Sequence, residues 1–259
     1  MNSRVFALCI FAVASMTALA PAAFAACDAR SGPKTAALVE LYTSEGCSSC
    51  PPADRQLSRL RQMLDPAAEV VPLALHVGYW DYIGWKDPYA QAAFGERQSG
   101  LVRAGRQNTV YTPQFFVGGT ELRSWRGGLR DQVRQLNALP AAADIHLRAR
   151  LTAEGALALD VDATARAGAE PAALYLALAE SGLVSKVMRG ENSGVTLTHD
   201  HVVRKWIGPV RLTGGTARVQ REIALPAAWS RARLDLVAFV QGESSSVLQA
   251  MSAQQCAGS

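Results

Sequence analysis

Hydrophobic positions in the first half of the 259-residue chain alternate between short apolar runs and helical spacing. Residues 36–42 (AALVELY) and 69–77 (EVVPLALHV) are apolar runs with the length of buried strands. Between them, leucines recur every three to four positions from residue 57 to residue 64, and Pro66 ends the pattern. This order predicts a strand, a helix and a second strand.

The same alternation continues to about residue 139. Turn signals precede a predicted helix from about Tyr89, and residues 110–122 (VYTPQFFVGGTEL) predict a strand that starts at Pro113, a Gly-Gly turn and a short strand. Residues 128–139 (GLRDQVRQLNAL) place apolar side chains on one helical face. Strands and helices in this order predict an α/β unit built on a central mixed sheet, which we assign to residues 26–139.

The pattern changes after residues 138–144 from helical spacing to alternation of apolar and polar positions. Several short runs of this kind, with turn residues between them, predict a β-rich, sandwich-like C-terminal domain over residues 140–259. One continuous domain with an extended sheet is the alternative. The predicted strands are 145–151, 156–163, 173–180, 195–206, 217–225, 234–241 and 246–251.

The N-terminus has the layout of a secretory signal peptide, which we assign to residues 1–25. An apolar run from Val5 to Leu19 follows Arg4, and small residues end at Ala25 in an A-x-A pattern. This layout predicts export to the periplasm or the medium, with a lipid-modified Cys27 as an alternative address. No other segment approaches the length of a membrane span.

The net charge of the chain concerns which classes of partner are expected. A formal net charge of +4, without a basic run, does not indicate binding to nucleic acid or to a membrane surface. The glycine and histidine motifs of common hydrolase, nucleotide and dinucleotide sites do not occur in the sequence.

Four cysteines remain after removal of a signal peptide, and four cysteines allow three pairings. Cys47 and Cys50 are close enough in sequence to pair naturally, which would leave Cys27 to join Cys256 and fasten the two ends of the chain. The spacing does not choose among the pairings. In an exported protein, such cysteines are expected to form disulfides that persist.

Two motifs carry a resemblance to a known superfamily. C-S-S-C after a buried strand, followed downstream by T-P-Q-F-F-V-G-G, is similar to the thioredoxin superfamily, and the second motif is most similar to glutaredoxins. With GYWDYIGWKDP and RGENSGVTLTHDHVVR, the pattern resembles a secreted thioredoxin-like family of unknown function. The resemblance implies a thioredoxin-like fold and a cis-proline at Pro113, preceded by Thr112, beside the cysteine pair.

The cysteine pair suits thiol-disulfide exchange with the thiols or disulfides of protein partners. A thiolate is the nucleophile in this reaction, and a second cysteine resolves the mixed disulfide. We assign attack to Cys47 and resolution to Cys50, with Thr112 and Pro113 positioning the partner. The reaction needs no cofactor and no metal.

Two features of the flanking sequence act against a reactive thiol. Pro51 and Pro52 follow Cys50, so the helix is expected to begin near Pro51 and to leave Cys47 outside the strongest field of the helix. A carboxylate at Glu45 would raise the pKa of a nearby thiol.

Two other functions are compatible with the same cysteines. A non-enzymatic binding or assembly protein would hold Cys47 and Cys50 as a structural disulfide. A third interpretation is binding of Zn²⁺ or Cu(I), since His199 and His201 would share a face if their segment were a strand. The interpretation of His199 and His201 as polar residues on an edge strand is preferred, so we assign no metal ligand.

Two further segments could frame a partner groove. Trp80, Tyr82, Trp85 and Tyr89 form an aromatic cluster whose expected role is to pack a long insertion. The loop at residues 189–194 (RGENSG) is expected to be a solvated hairpin turn, with contact to the cysteine pair as the alternative.

Overall fold

The structure is a computed structural model that describes residues 27–254 and residue 256. The predicted signal peptide, residues 1–25, lies outside the described residues. The first half contains β1 (Cys27–Arg30), β2 (Ala37–Thr43), α1 (Pro51–Ser58), α2 (Leu60–Met63), β3 (Val70–His76), α3 (Ala92–Ala104), β4 (Gln114–Val117), β5 (Thr120–Glu121) and α4 (Trp125–Asn137).

The second half is built from strands. These are β6 (Ala143–Leu151), β7 (Leu157–Ala165), β8 (Ala172–Glu180), β9 (Leu183–Lys186), β10 (Thr196–His199), β11 (Val202–Arg211), β12 (Thr216–Ile223), β13 (Leu234–Gly242) and β14 (Val247–Ser252). Two elements differ from the sequence prediction here. Strand β9 was not predicted, and the predicted strand at 195–206 is two strands, because the chain turns at residues 200–201.

An eight-stranded sheet in the order β14-β13-β8-β11-β3-β2-β4-β5 runs through both halves. Strands β2 and β3 are parallel, β4 is antiparallel to β2, and β11 joins β3 through the parallel pair Val202–Ala74. The predicted mixed α/β architecture with a mixed central sheet is therefore confirmed. This sheet contains strands from both sides of the predicted division between residues 139 and 140. The division itself stays a prediction.

Helices cover both faces of the part of this sheet that comes from the first half of the chain. One face of β2 packs with Leu57, Leu129 and Val133 of the helices α1 and α4, whereas the other packs with Phe94 of α3. All seven residues of β2 are buried as a result, which explains its near-continuous apolar sequence.

The strands of the second half pack as facing layers. A four-stranded sheet in the order β1-β6-β7-β12 lies against the β8, β13 and β14 part of the large sheet. Alternate residues of β6 and β7 face this apolar core, which is the alternation predicted from the sequence. Strand β1, which was not predicted, pairs with β6 from Cys27 to Arg30.

A third sheet contains only the hairpin β10-β9. Its strands pair from Thr196–Lys186 to His199–Leu183, and the hairpin lies near α1. The hairpin therefore brings a loop of the second half to the cysteine pair. No helix in the described residues is both long and apolar enough to cross a bilayer.

Candidate functional site: a capped disulfide above a buried polar cluster

Cys47 and Cys50 form a disulfide in the turn between β2 and α1, with their Cα atoms 5.4 Å apart. The Cys47 amide donates to the Ser44 carbonyl, and the Cys50 amide donates to the Cys47 carbonyl, each at 3.2 Å. The turn therefore folds back on itself and brings the two sulfur atoms together.

Helix α1 begins at Pro51, as its sequence predicts. Pro51 and Pro52 lack an amide hydrogen, which costs little in the first turn of a helix because these groups have no partner within the helix. Cys50 is the N-terminal capping residue and has helical angles (φ −78°, ψ −38°), although residues before proline usually avoid them. Cys47 consequently lies three residues before the cap.

Both cysteines of this disulfide are buried. Their residue exposures are 1% for Cys47 and 0% for Cys50. A thiol reagent or a protein partner needs access to a sulfur atom before it can exchange. In this conformation, therefore, the disulfide is closed to a partner.

The loop Arg189–Gly194, which we call the cap loop and which lies between β9 and β10, contacts the backbone of the cysteine turn. The side-chain amide of Asn192 donates to the carbonyls of Glu45 (2.8 Å) and Cys47 (3.0 Å). The Glu191 carboxylate accepts the Ser48 amide at 3.0 Å. The cap loop is thus bound to the cysteine turn, as in the alternative interpretation, and is more than a solvated hairpin turn.

The Glu45 side chain is the centre of a buried polar cluster beside the cysteines. One carboxylate oxygen accepts the Trp85 indole N–H at 2.8 Å, and the other lies 3.0 Å from Nε2 of His199. Glu45 and His199 are 0% and 2% exposed. Both oxygens of this carboxylate therefore have a polar partner inside the protein.

A second pair, His76 and Asp87, supports the same turn. Nδ1 of His76 lies 2.7 Å from Oδ2 of Asp87, and that oxygen also accepts the Glu45 amide at 2.8 Å. Burial opposes a charge on either group, but their mutual attraction prevails: the pKa of His76 is raised and the pKa of Asp87 is lowered. Both shifts favour the charged forms of the two groups.

Asp54 adds a third buried carboxyl group, one helical turn after Cys50. It accepts the Thr43 hydroxyl at 2.8 Å. Burial raises its pKa, and the nearby histidines His76 and His199 only partly oppose that shift. Asp54 is thus a group that can hold a proton near the cysteine turn at a higher pH than an exposed aspartate.

Each histidine of the cluster has one ring nitrogen without a partner. Nε2 of His76 and Nδ1 of His199 are buried without a hydrogen bond, and the ring centroids are 5.0 Å apart in an edge-to-face arrangement. Within the described part of the chain, no group of three or more His, Cys, Asp or Glu side chains is arranged to hold a metal ion.

His201 does not share the position of His199. Strand β10 ends at His199, and His201 lies in the following turn with a φ of 59°. Burial lowers the pKa of His201 to about 4, whereas His199 binds Glu45. His199 and His201 therefore do not share a strand face, as the metal interpretation required, because strand β10 ends between them.

Thr112 and Pro113 lie at the same end of the sheet as the cysteine turn. Gln114, the next residue, pairs with Tyr42 near the end of β2, and the Thr112–Pro113 peptide is cis. The Trp80 indole donates to the Thr112 hydroxyl at 2.7 Å, and a Cβ at Gly46 would lie 3.1 Å from Cβ of Trp80. Trp80 therefore connects the proline segment to the cysteine turn.

The other disulfide joins Cys27 to Cys256, with the Cα atoms 5.0 Å apart. Together with the Cys47–Cys50 disulfide, it pairs all four cysteines that follow residue 25. Cys256 is buried in the apolar core between the two layers of the second half, and Cys27 packs against that core. Two disulfides are compatible with an oxidising compartment.

Sequence reasoning singled out Cys47, Cys50 and the proline segment, left the pairing of the four cysteines open, and missed most of the polar cluster and the contacts of Asn192. One signal was present in the pattern: Thr43 and His76 end the neighbouring parallel strands β2 and β3. The carboxyl ends of parallel strands meet at one edge of a sheet, where sites commonly form. Polar residues in that position could have been grouped from the sequence.

Residues 38–241 match the model of the family described as "Protein of unknown function (DUF1223)". Protein AGR_C_4864 from Agrobacterium tumefaciens, solved by X-ray crystallography in a structural genomics programme, is 24% identical, with 85% of this chain and 94% of that chain covered and a TM-score of 0.58. HBP35 of Porphyromonas gingivalis is 17% identical, with 86% and 76% covered and a TM-score of 0.65. At these identities the likeness concerns the fold alone. Among curated proteins, none matches the sequence.

Proposed function

We propose that this chain, which belongs to the DUF1223 family, is an exported thiol-disulfide oxidoreductase with a thioredoxin-like first half. Its substrates are the thiols or disulfides of protein partners, and the reacting pair is Cys47 and Cys50. The reaction requires no organic cofactor.

The observation that carries this proposal is the position of the Cys47–Cys50 disulfide. It closes a turn between the buried strand β2 and helix α1, and the segment Thr112–Pro113 lies at the same end of the sheet. Behind the turn are groups with shifted pKa values, His76, Asp87 and Asp54. Titratable groups shifted by burial and by specific partners are typical of reactive sites, although structural ion pairs also produce such shifts.

The chemistry is a pair of thiol-disulfide exchanges. In the reduced protein, the Cys47 thiolate attacks one sulfur of a partner disulfide, and the other partner sulfur leaves as a thiolate and takes up a proton. The Cys50 thiolate then attacks the Cys47 sulfur, the mixed disulfide breaks, and the second partner sulfur leaves as a thiol. Two electrons pass from this protein to the partner, and the reverse sequence oxidises a partner dithiol.

The polar cluster contains a group that can take up a proton released in this reaction. Cys50 must lose a proton before it attacks, and Asp54 lies one helical turn away with a raised pKa. The Glu45 carboxylate, which could oppose formation of a thiolate, is engaged by Trp85 and His199. Thr112 and Pro113 keep the role of positioning the partner chain.

A binding or assembly protein with a structural disulfide is the second candidate. The observation that favours it is the burial of both cysteines, at 1% and 0% exposure. A disulfide that never opens to solvent would stabilise the turn without reacting. The two functions differ in the reduction potential that they require.

The deciding experiment is to measure the reduction potential of the Cys47–Cys50 pair. The mature protein would be equilibrated with thiol-disulfide buffers of defined potential, and free thiols would be trapped and located by mass spectrometry. A value between about −120 and −270 mV supports exchange, since known exchangers lie in this range. A value well below about −300 mV would instead establish a structural disulfide.

A further inference from the structure

The cap loop makes three hydrogen bonds to the backbone of the cysteine turn. Asn192 donates to the carbonyls of Glu45 and Cys47, and Glu191 accepts the Ser48 amide. An extended polypeptide offers the same kinds of group, since its amides donate and its carbonyls accept. The cap loop therefore occupies backbone groups next to Cys47 that a partner chain could use.

The hydrogen bonds that hold the cap loop to other segments of the described chain are confined to the cysteine turn. Asn192 is buried, but its neighbours Glu191 and Ser193 are exposed. The hairpin that carries the loop is a two-stranded sheet, separate from the other sheets of the described chain. Moving the loop therefore does not require the eight-stranded sheet to open.

Two glycines in left-handed conformations bracket the contacts. Gly190 has a φ of 77° and Gly194 a φ of 84°, a region that glycine adopts without a steric penalty. A Cβ at Gly190 would lie 3.0 Å from Cδ1 of Ile83, so this glycine also permits the loop to sit close to the protein. These positions can absorb a change of backbone angles at both ends of the contact.

From these contacts we propose that the cap loop is a gate over the Cys47–Cys50 disulfide, and that a polypeptide partner displaces Glu191 and Asn192 to reach it. The inference rests on the proposed exchange function. The net free energy of each hydrogen bond of this kind shifts the equilibrium between the closed and the open loop by roughly fivefold. Three such bonds keep the open form at roughly one molecule in a hundred.

The gate predicts the rate at which a small reductant reaches the disulfide. We would reduce the mature, oxidised protein with dithiothreitol at fixed pH and follow the loss of the Cys47–Cys50 disulfide by thiol trapping. If the loop must open first, Asn192→Ala should accelerate reduction about tenfold or more, because two hydrogen bonds are lost. Glu191→Gln should accelerate it by roughly two- to fivefold, because only the contact to the Ser48 amide weakens.

The matched control is Thr198→Ala, a substitution on the exposed face of β10 in the same hairpin. Its reduction rate should equal that of the unmodified protein. A thermal melt of each oxidised variant distinguishes gate opening from general unfolding. If Asn192→Ala does not fold, the surface variant Glu191→Gln still provides the test, because Glu191 is exposed.

The outcomes separate the gate from the proposed function. Equal reduction rates for Glu191→Gln, Asn192→Ala and Thr198→Ala in folded protein would overturn the gate, whatever the reduction potential. Faster reduction of the two cap-loop variants would support the gate. If the reduction potential of the pair nevertheless lay in the range of structural disulfides, the exchange function would fail while the gate remained.

Discussion

The two disulfides of this protein lie in very different surroundings. Cys256 is 1% exposed and lies in an apolar core, where it joins Cys27 across 229 positions of sequence. Cys47 and Cys50 are equally buried and only three positions apart, but Glu45, Asp54 and two histidines lie around their turn. One disulfide thus lies against an apolar core, whereas the other lies beside a polar cluster.

The difference lies in what each disulfide could contribute. In the chain-entropy model, stabilisation grows with the length of the closed loop, so the Cys27–Cys256 bond restricts the unfolded chain far more than the Cys47–Cys50 bond. The short bond adds little stability by this route but is placed among titratable groups and under a cap. This contrast is what the proposed function requires: a mechanical role for the long-range disulfide and a chemical role for the short one.

The largest expected effect is the loss of exchange when either cysteine of the short pair is replaced. Cys47→Ser should abolish disulfide transfer to a model partner, because no attacking thiolate remains. Cys50→Ser should accumulate a mixed disulfide, because nothing resolves it, and mass spectrometry would detect the added partner. If both variants kept the exchange rate of the unmodified protein, the mechanism would be wrong.

Removal of the long-range disulfide should act on stability alone. Replacing Cys27 and Cys256 together by alanine should lower the free energy of unfolding by roughly 5 kcal/mol, against roughly 2 kcal/mol for the short pair. Denaturant unfolding under oxidising conditions measures both values. A loss of exchange in folded protein without the Cys27–Cys256 bond would contradict the assignment of a purely mechanical role.

Two buried glutamates near the same strand provide a matched comparison. Glu40 forms a two-pronged ion pair with Arg97, whereas Glu45 binds His199 and Trp85. Glu40→Gln should cost roughly 3–5 kcal/mol, because it leaves a buried guanidinium without its charge partner. Glu45→Gln should cost roughly 1–3 kcal/mol, because a hydrogen bond of a buried group is impaired.

Only Glu45→Gln is expected to change the rate of exchange, because Glu45 belongs to the cysteine turn and Glu40 does not. Stopped-flow reduction of the two oxidised variants, without denaturant and at a pH where both are folded, would compare their rates. Equal rates in both variants would remove the distinction between the polar cluster and an ordinary buried ion pair.

The smallest expected effect is a change in the pH dependence of stability. Because the pKa of His76 is raised, its contribution is complete below about pH 6.5, the usual value for histidine, and is lost as the pH rises through the raised pKa. Because the pKa of Asp87 is lowered, its contribution is present above about pH 4 and is lost as the pH falls through the lowered pKa.

Asp87→Asn should therefore flatten the decline of stability above about pH 6.5. Urea unfolding at a series of pH values would show this, with the exposed Asp131→Asn as a control for the loss of one carboxylate. An unchanged slope in Asp87→Asn would mean that the His76–Asp87 pair is not the source of the pH dependence.

Most of the fold could be predicted from hydrophobic spacing. Strands β2 and β3 were found as apolar runs, α4 as a helical stripe, and β6 and β7 as alternating segments, because each pattern reflects which faces are covered. The hairpin β9–β10 was not resolved from β11, because the break at Asp200 is a local turn inside one continuous β-like pattern.

The site was predictable only where it is local in sequence. Cys47 and Cys50 lie three positions apart, so their spacing alone indicates a pair. Asn192 and His199 lie more than 140 positions from the turn that they contact, and no periodic pattern connects them to it.

The sequence by itself determined the alternation of strands and helices in the first half, the predominance of strands in the second half, and the cysteine spacing that permits a short disulfide. These features depend on neighbouring residues and on the contrast between apolar and polar positions. Only the tertiary structure decided that one sheet runs through both halves, that Cys27 reaches Cys256, and that the cap loop binds the cysteine turn. Those outcomes depend on pairing between distant strands, which places far-separated polar groups within hydrogen-bonding distance.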